Sequence, residues 1–310
     1  MSVRDVVVVV QKGDHSLGYY DFETGAELAR VAIDPFPHEF TVSPDGRLAY
    51  SAHFGVALAE DEGPGGNTIS IVDIAARRRI GTVDCGEYRR PHDVVLDGNG
   101  TLYALSEGTS HLLVICDPAT GKFDRAVPTG GKGSHMVSVL RNGSVAFVSN
   151  MNSDTVAALF PDDPERPPVI IPVVSRPEGS VCDAEERRLY VMNREAKEIS
   201  VIDVRKLAVV DSIPVPKGPV RVRRTPEGKL LAALYHDCGL AMVNTTSKAC
   251  RVVPLPEKPI SVGYHAPSRM ALLSTHAHRI CVVDTVAGKL ARSIPTRSDP
   301  DPMVVLPLDL

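Results

Sequence analysis

The sequence predicts an all-β fold, a seven-bladed β-propeller built as a single domain over residues 1–310, and three observations carry that reading. A segment opening with proline or serine recurs at Pro37, Pro91, Ser134, Pro177, Pro219, Pro259 and Pro300, spaced by 54, 43, 43, 42, 40 and 41 residues. The intervals are filled by short β-type runs, and a period of roughly 40 residues made of strands marks one four-stranded blade per repeat. The last copy, "PDPMVVLPLDL", stops after one strand, whereas "DVVVVVQ", "LGYYDF" and "ELARVAI" precede Pro37 without an inner strand of their own.

The fourth repeat shows the strands most openly. "PEGSVCDAEERRLYVMNREAKEISVIDVRKLAVVDSIPVPKG" predicts an inner strand at 179–182, a second at 189–193, a third at 199–204 and an outer strand at 208–214. Inner-to-second turns read "SPDGR", "DGNGT", "RNGS", "TPEGK" and "APSR", where glycine and asparagine accept positive φ at little cost. Third strands recur as "ISIVD", "LLVICD", "ISVID", "LAMVN" and "ICVVD", each ending on a side chain able to hold the next turn. The C-terminal strand then completes the blade begun by the N-terminus. Closure of that kind leaves no free sheet edge.

With these repeats in view, "LYVMNREAKEISVIDVRKLAVVDSIPV" resembles the YVTN-type β-propeller repeat, and weaker copies extend the resemblance over nearly the whole chain. The resemblance implies a seven-bladed ring. The broader set of similar propellers includes lactone-cleaving enzymes, a metal-dependent lyase that opens cyclic depsipeptide antibiotics, and many proteins with no known activity.

Composition narrows the function classes. Lys plus Arg number 34 against 38 Asp plus Glu, so no face is announced for nucleic acid or an anionic membrane. The five valines near the N-terminus are too few for a signal-peptide core or a membrane span, which makes a cytoplasmic protein the expectation. Six cysteines without a CxxC spacing read as reduced core residues. No P-loop, nucleotide-cofactor loop or nucleophile elbow is present. A chain without tryptophan and with 5% aromatics is also poorly supplied for a large protein-binding hot spot, so a small-molecule substrate is expected.

In an up-and-down blade the starts of inner strands crowd the central channel, where propellers place ligands. The second residue of each repeat, read round the ring, is Asp301, His38, His92, His135, Glu178, Val220 and Ile260. With 10 histidines in 310 residues, three such positions would all be histidine by chance in roughly 3 cases in 100,000. Imidazoles from adjacent blades, flanked by a carboxylate, suit a first-row divalent ion such as Fe, Mn, Zn or Ni. His38, His92, His135 and Glu178 are therefore the expected metal ligands, Glu178 doubling as a base, with Asp301 orienting His38 or acting as a second base. The plainer alternative is polar lining of a water-filled channel.

Second strands end on the same rim, bringing His53, Glu107, Asn150, Asn193 or Arg194, Tyr235, His236, Thr275 and His276, with His111 and His278 nearby. Of these, His53, His236 and His276 are candidate acids or bases. Arg89, Arg90 and Arg221 are candidate anion clamps, His15 and His265 structural residues. The extra segment of the first repeat, Phe54 to Asn67, reads as a lid over the channel or as a tolerated surface insertion. The expected activity is a metal-dependent lyase or hydrolase that eliminates, or opens an ester or lactone. An iron-dependent oxygenase at the same site and a non-catalytic scaffold are the alternatives.

Overall fold

In the computed structural model, which describes residues 3–58 and 60–309, the chain forms seven four-stranded antiparallel sheets around one axis. Blade 1 runs from its inner strand Pro37–Val42 through Leu48–His53 and Thr68–Asp73 to the outer Arg78–Asp84. Blades 2 to 6 follow in order, their inner strands beginning at Pro91, Ser134, Pro177, Pro219 and, in blade 6, the short Gly263–His265, ahead of which Pro259 bridges Thr275. Strands of blade 4 span Pro177–Cys182, Arg188–Asn193, Glu198–Asp203 and Ala208–Pro214, so the predicted elements are present with boundaries moved by one or two residues.

Blade 7 joins both ends of the chain. Its order is Pro300–Asp309, Val3–Gln11, Ser16–Asp21, Glu27–Ala32, with Val7 opposite Val305 and Val8 opposite Val304. The valine run is explained by this position. Successive strand side chains point to opposite faces. Val6, Val8 and Val10 pack with Phe40, Ala49 and Val72 of blade 1, while Val7 and Val9 pack with Leu272, Ile280 and Val282 of blade 6. A strand buried on both faces needs an unbroken apolar run rather than an alternating one.

All six cysteines are free. Cys85 and Cys281 are buried, but Cys182, Cys238 and Cys250 are half-buried and Cys116 is exposed, because its strand stops at Ile115 and leaves Cys116 in the following turn. Among the described residues no helix is long and apolar enough to cross a membrane.

In every blade but the sixth, the inner strand reaches the axis through the same device. Phe36, Arg90, Arg176 and Asp299 adopt φ of 49–56°, and Gly133 and Gly218 occupy the matching place in blades 3 and 5. Left-handed backbone is costly for residues other than glycine. Here it aims a carbonyl at the turn after the second strand: Glu107 N–H donates to Arg90 O, Arg194 N–H to Arg176 O and Lys12 N–H to Asp299 O, at 2.8–3.0 Å. Just after this turn the ladder register breaks, between Pro37 and Phe40, Pro91 and Asp93, Ser134 and Met136, Pro177 and Ser180, and Pro219 and Val222. A bulge bends its strand and re-aims a side chain, and here the re-aimed residues are His38, His92, His135, Glu178 and Val220.

Removing the strand Pro300–Asp309 should leave Val3–Gln11 unpaired on that side, with the apolar run Val6–Val10 at a free edge. The truncated chain is expected to self-associate and lose cooperative unfolding. A monomer by size-exclusion chromatography that melts in one sharp transition would contradict this account of closure.

Candidate active site

Two rings of side chains meet at the histidine end of the channel. The first contains the second residue of each inner segment: Asp301, His38, His92, His135, Glu178, Val220 and Ile260. The second contains the residue after each second strand: Lys12, Phe54, Glu107, Met151, Arg194, Tyr235 and His276. Most of both rings lines one cavity of about 380 Å³.

His38, His92 and His135 stack like tilted plates, with ring centroids 4.0 Å and 3.8 Å apart. Phe54 stands edge-on to His38 and His92, 5.5 Å from each. Burial drives the pKa of His38 and His92 well below the ordinary imidazole value, and neighbouring positive charge adds to it: Lys12 and Arg221 at His38, the flanking histidines at His92. Both rings are therefore neutral at neutral pH. His92 is 1% exposed, and neither of its nitrogens has a hydrogen-bond partner. Leaving a buried polar group unsatisfied costs about 1–3 kcal/mol, which a ligand reaching that nitrogen would recover.

Glu107 provides the carboxylate of this cluster. Its Oε2 lies 3.0 Å from His135 Nδ1 and 3.9 Å from His92 Nε2. A proton on His135 Nδ1, donated to Glu107, leaves the other ring nitrogen as a lone pair. One ligand atom each from His92, Glu107 and His135 lie within 4.8 Å of one another, a span that a divalent cation can bridge. His38 is engaged differently. Lys12 Nζ is 3.3 Å from its Nε2, and Asp301 Oδ2 is 3.3 Å from its Nδ1.

Glu178 is turned to guanidinium groups rather than to the imidazoles. Arg194 donates to its Oε1 and Arg221 to its Oε2, both at 2.8 Å, while Arg221 Nε donates to Glu39 Oε1 at 2.9 Å. Burial alone would raise the pKa of Glu178, but the charges of His135, Arg221 and Arg194 outweigh it and hold the carboxylate below its ordinary value. Asp301 and Asp93 lie on the other side of that balance. Desolvation, and then the neighbouring charge of Glu39, raise both well above the carboxylate range. Glu39, Asp93 and Arg221, each third in its repeat, form a lower tier of the axis and reach toward the cavities below it.

The remaining expected site residues divide by one rule. His276 follows a second strand and lines the cavity from an exposed position, its pKa lowered by partial desolvation. His53 is one residue early and His236 one residue late, so strand alternation turns them away. His53 Nδ1 meets Thr68 Oγ1 at 2.9 Å and His236 Nε2 meets Glu195 Oε1 at 3.0 Å. Asn150 and Asn193 are likewise one residue early and bind Ser134 and Ser200 inside their blades. Arg90 holds the long first-repeat loop through the carbonyls of Asp61 and Gly63, and Ala57, Leu58 and Glu60 of that loop line the cavity; its Ala59 lies outside the described residues. His15 accepts from Phe36 N–H, His278 accepts from Asp299 N–H and His265 meets Ser268 Oγ, all shaping turns. Lys12, Phe54 as a ring contact, Met151, Glu39 and Asp93 were not among the expected site residues. Aligning the residue after every second strand, and the third residue of every repeat, would have found them.

No protein-family profile and no curated protein sequence matches the chain, so the YVTN-type resemblance rests on the repeat motif itself. Solved structures do match. A periplasmic gluconolactonase from Pseudomonas aeruginosa aligns with a TM-score of 0.79 at 17% identity over 99% of both chains. A putative 6-phosphogluconolactonase from Bacteroides uniformis aligns at 0.77 and 15% identity, over 99% of this chain and 100% of that one. Virginiamycin B lyase from Staphylococcus aureus aligns at 0.65 and 12% identity, over 88% and 85%. The likeness is one of fold.

Two outcomes follow from the axial charges. Arg221→Met leaves Glu39 and Glu178 without their buried cation and should cost about 3–5 kcal/mol in denaturant unfolding, with Arg221→Lys recovering part of the loss. Because the folded state raises the Asp93 pKa above 3.8, this group favours folding at low pH and loses that contribution as pH rises toward neutrality. Asp93→Asn should therefore gain on the wild type by on the order of 1–2 kcal/mol between pH 5 and pH 8. A stability difference that stays flat across this range would refute the raised pKa.

Proposed function

We propose that the chain is a hydrolase or lyase that opens a small ester or lactone in the channel-mouth cavity, with a divalent cation held by His92, His135 and Glu107. The observation that carries this reading is the neutral, buried His92, whose nitrogens lack partners beside a carboxylate and a second imidazole. An Fe, Mn, Zn or Ni ion there would polarise a carbonyl oxygen and lower the pKa of a bound water. The chain's own groups supply the rest. His276, exposed at the cavity wall with its pKa lowered by partial desolvation, can take a proton there. Glu178 stays ionised between Arg194 and Arg221 and holds both guanidinium groups at the cavity. Met151, Val220, Tyr235 and Ile260 give the wall an apolar part that excludes water. The gluconolactonase and lyase names among the structural neighbours support ring opening as the reaction type. Six free cysteines fit a reducing cytoplasm, the location we propose.

A metal-free version has its own support. Glu107, 3.0 Å from His135 Nδ1, orients that ring as a general base. Metal analysis of purified protein, with turnover of lactone probes before and after chelation, separates the two. Near-stoichiometric metal that falls at least tenfold in His92→Ala and Glu107→Gln is expected. Full activity in protein stripped of metal would leave only the dyad, and neither metal nor turnover would end the proposal.

A further inference from the structure

We infer that Lys12 is the proton donor to the leaving oxygen, held in place by His38 and Asp301; this rests on the ester-opening reading above. A lysine ammonium can only donate, so the 3.3 Å contact from Lys12 Nζ requires His38 Nε2 to be the acceptor. The neutral His38 then carries its proton on Nδ1. Among the described residues, Asp301 faces that nitrogen with Oδ2 at 3.3 Å, in a contact not aligned as a hydrogen bond. Asp301, 2% exposed, thereby sets the ring, and the ring sets the ammonium. Lys12 itself is anchored by its N–H on Asp299 O and lines the cavity, with two ammonium hydrogens left for a ligand. It occupies the same register as Glu107, on the far side of the stacked imidazoles. His135, the base of the metal-free version, and Lys12 thus stand at opposite ends of one row of rings.

The oxygen of water bonds to the acyl carbon and its proton passes to an imidazole lone pair, on His276 with a cation in place or on His135 without one. The acyl C–O bond breaks, its electron pair stays on the departing oxygen, and that oxygen takes a proton from Lys12. Solvent returns a proton to Lys12 and removes one from the imidazole. His38 and Asp301 are positioning residues and Lys12 is the catalytic one.

Two measurements test this. Nitrogen-15 NMR of imidazole-labelled protein should show His38 as the Nδ1–H tautomer, and Lys12→Met should change its Nε2 signal; an Nε2–H tautomer in the wild type would overturn the arrangement whatever the activity. Kinetics with δ-valerolactone and p-nitrophenyl acetate then read the role. An alkoxide needs a proton as it leaves and p-nitrophenolate does not, so Lys12→Met should lose roughly 100-fold on the lactone and less than about fivefold on the aryl ester. His38→Gln, which keeps an acceptor for Lys12, should retain more lactone activity than His38→Leu. Equal losses on both probes would overturn Lys12 as the donor. A wild type with the expected tautomer that turns over neither probe would overturn the ester-opening reading instead, and the donor role with it.

Discussion

Seven inner strands that start at one axis force their first side chains into a narrow, desolvated shaft, and the rest of the structure answers to that crowding. Charge placed there must be paired or neutralised. Arg221 meets the requirement by spanning two levels, with Glu178 above it and Glu39 beside it. Elsewhere along the shaft burial dominates and protons settle the balance: His38 and His92 give theirs up, while Asp301 and Asp93 keep theirs to higher pH. The result is an axis rich in ionisable groups yet modest in net charge, with the neutral imidazole of His38 lining the cavity at its mouth.

The turn that brings six of the seven inner strands to the axis also sets the second ring. A left-handed residue before the inner strand offers its carbonyl to the residue after the second strand, so two consecutive elements of a blade are clipped together at the rim. Lys12, Glu107 and Arg194 owe their positions to this clip. Backbone geometry repeated in blade after blade therefore presents different chemistry in each: a lysine, a carboxylate and a guanidinium at equivalent points of the ring. The repeat makes the platform, and divergence of two positions per blade makes the site.

Much of the fold was legible in the sequence because blade period and strand alternation are local properties. Spacing of the proline-led segments gave seven blades, and the unmatched terminal strands gave the closure. The site was half legible. Reading the second residue of each repeat found the histidine row, Glu178 and Asp301, since position in an inner strand decides what faces the axis. It could not divide their roles. Whether Glu107 or Glu178 stands beside the imidazoles depends on which carboxylate an arginine already holds, and Arg194 and Arg221 come from two different blades. His53 and His236 were misplaced by a single residue, which in a strand or its turn is enough to reverse a side chain.

By itself, then, the sequence determined the architecture, the way the ring closes and the strand positions that point at the axis, because periodicity and turn chemistry act within a few residues. Tertiary structure alone decided the partners: His135 with Glu107, His38 with Lys12 and Asp301, Arg221 with Glu39 and Glu178. Those pairs join residues up to 263 positions apart, as His38 and Asp301 show. Which charge meets which in a closed ring is settled by the packing of neighbouring blades and by the cost of leaving any one of them buried alone.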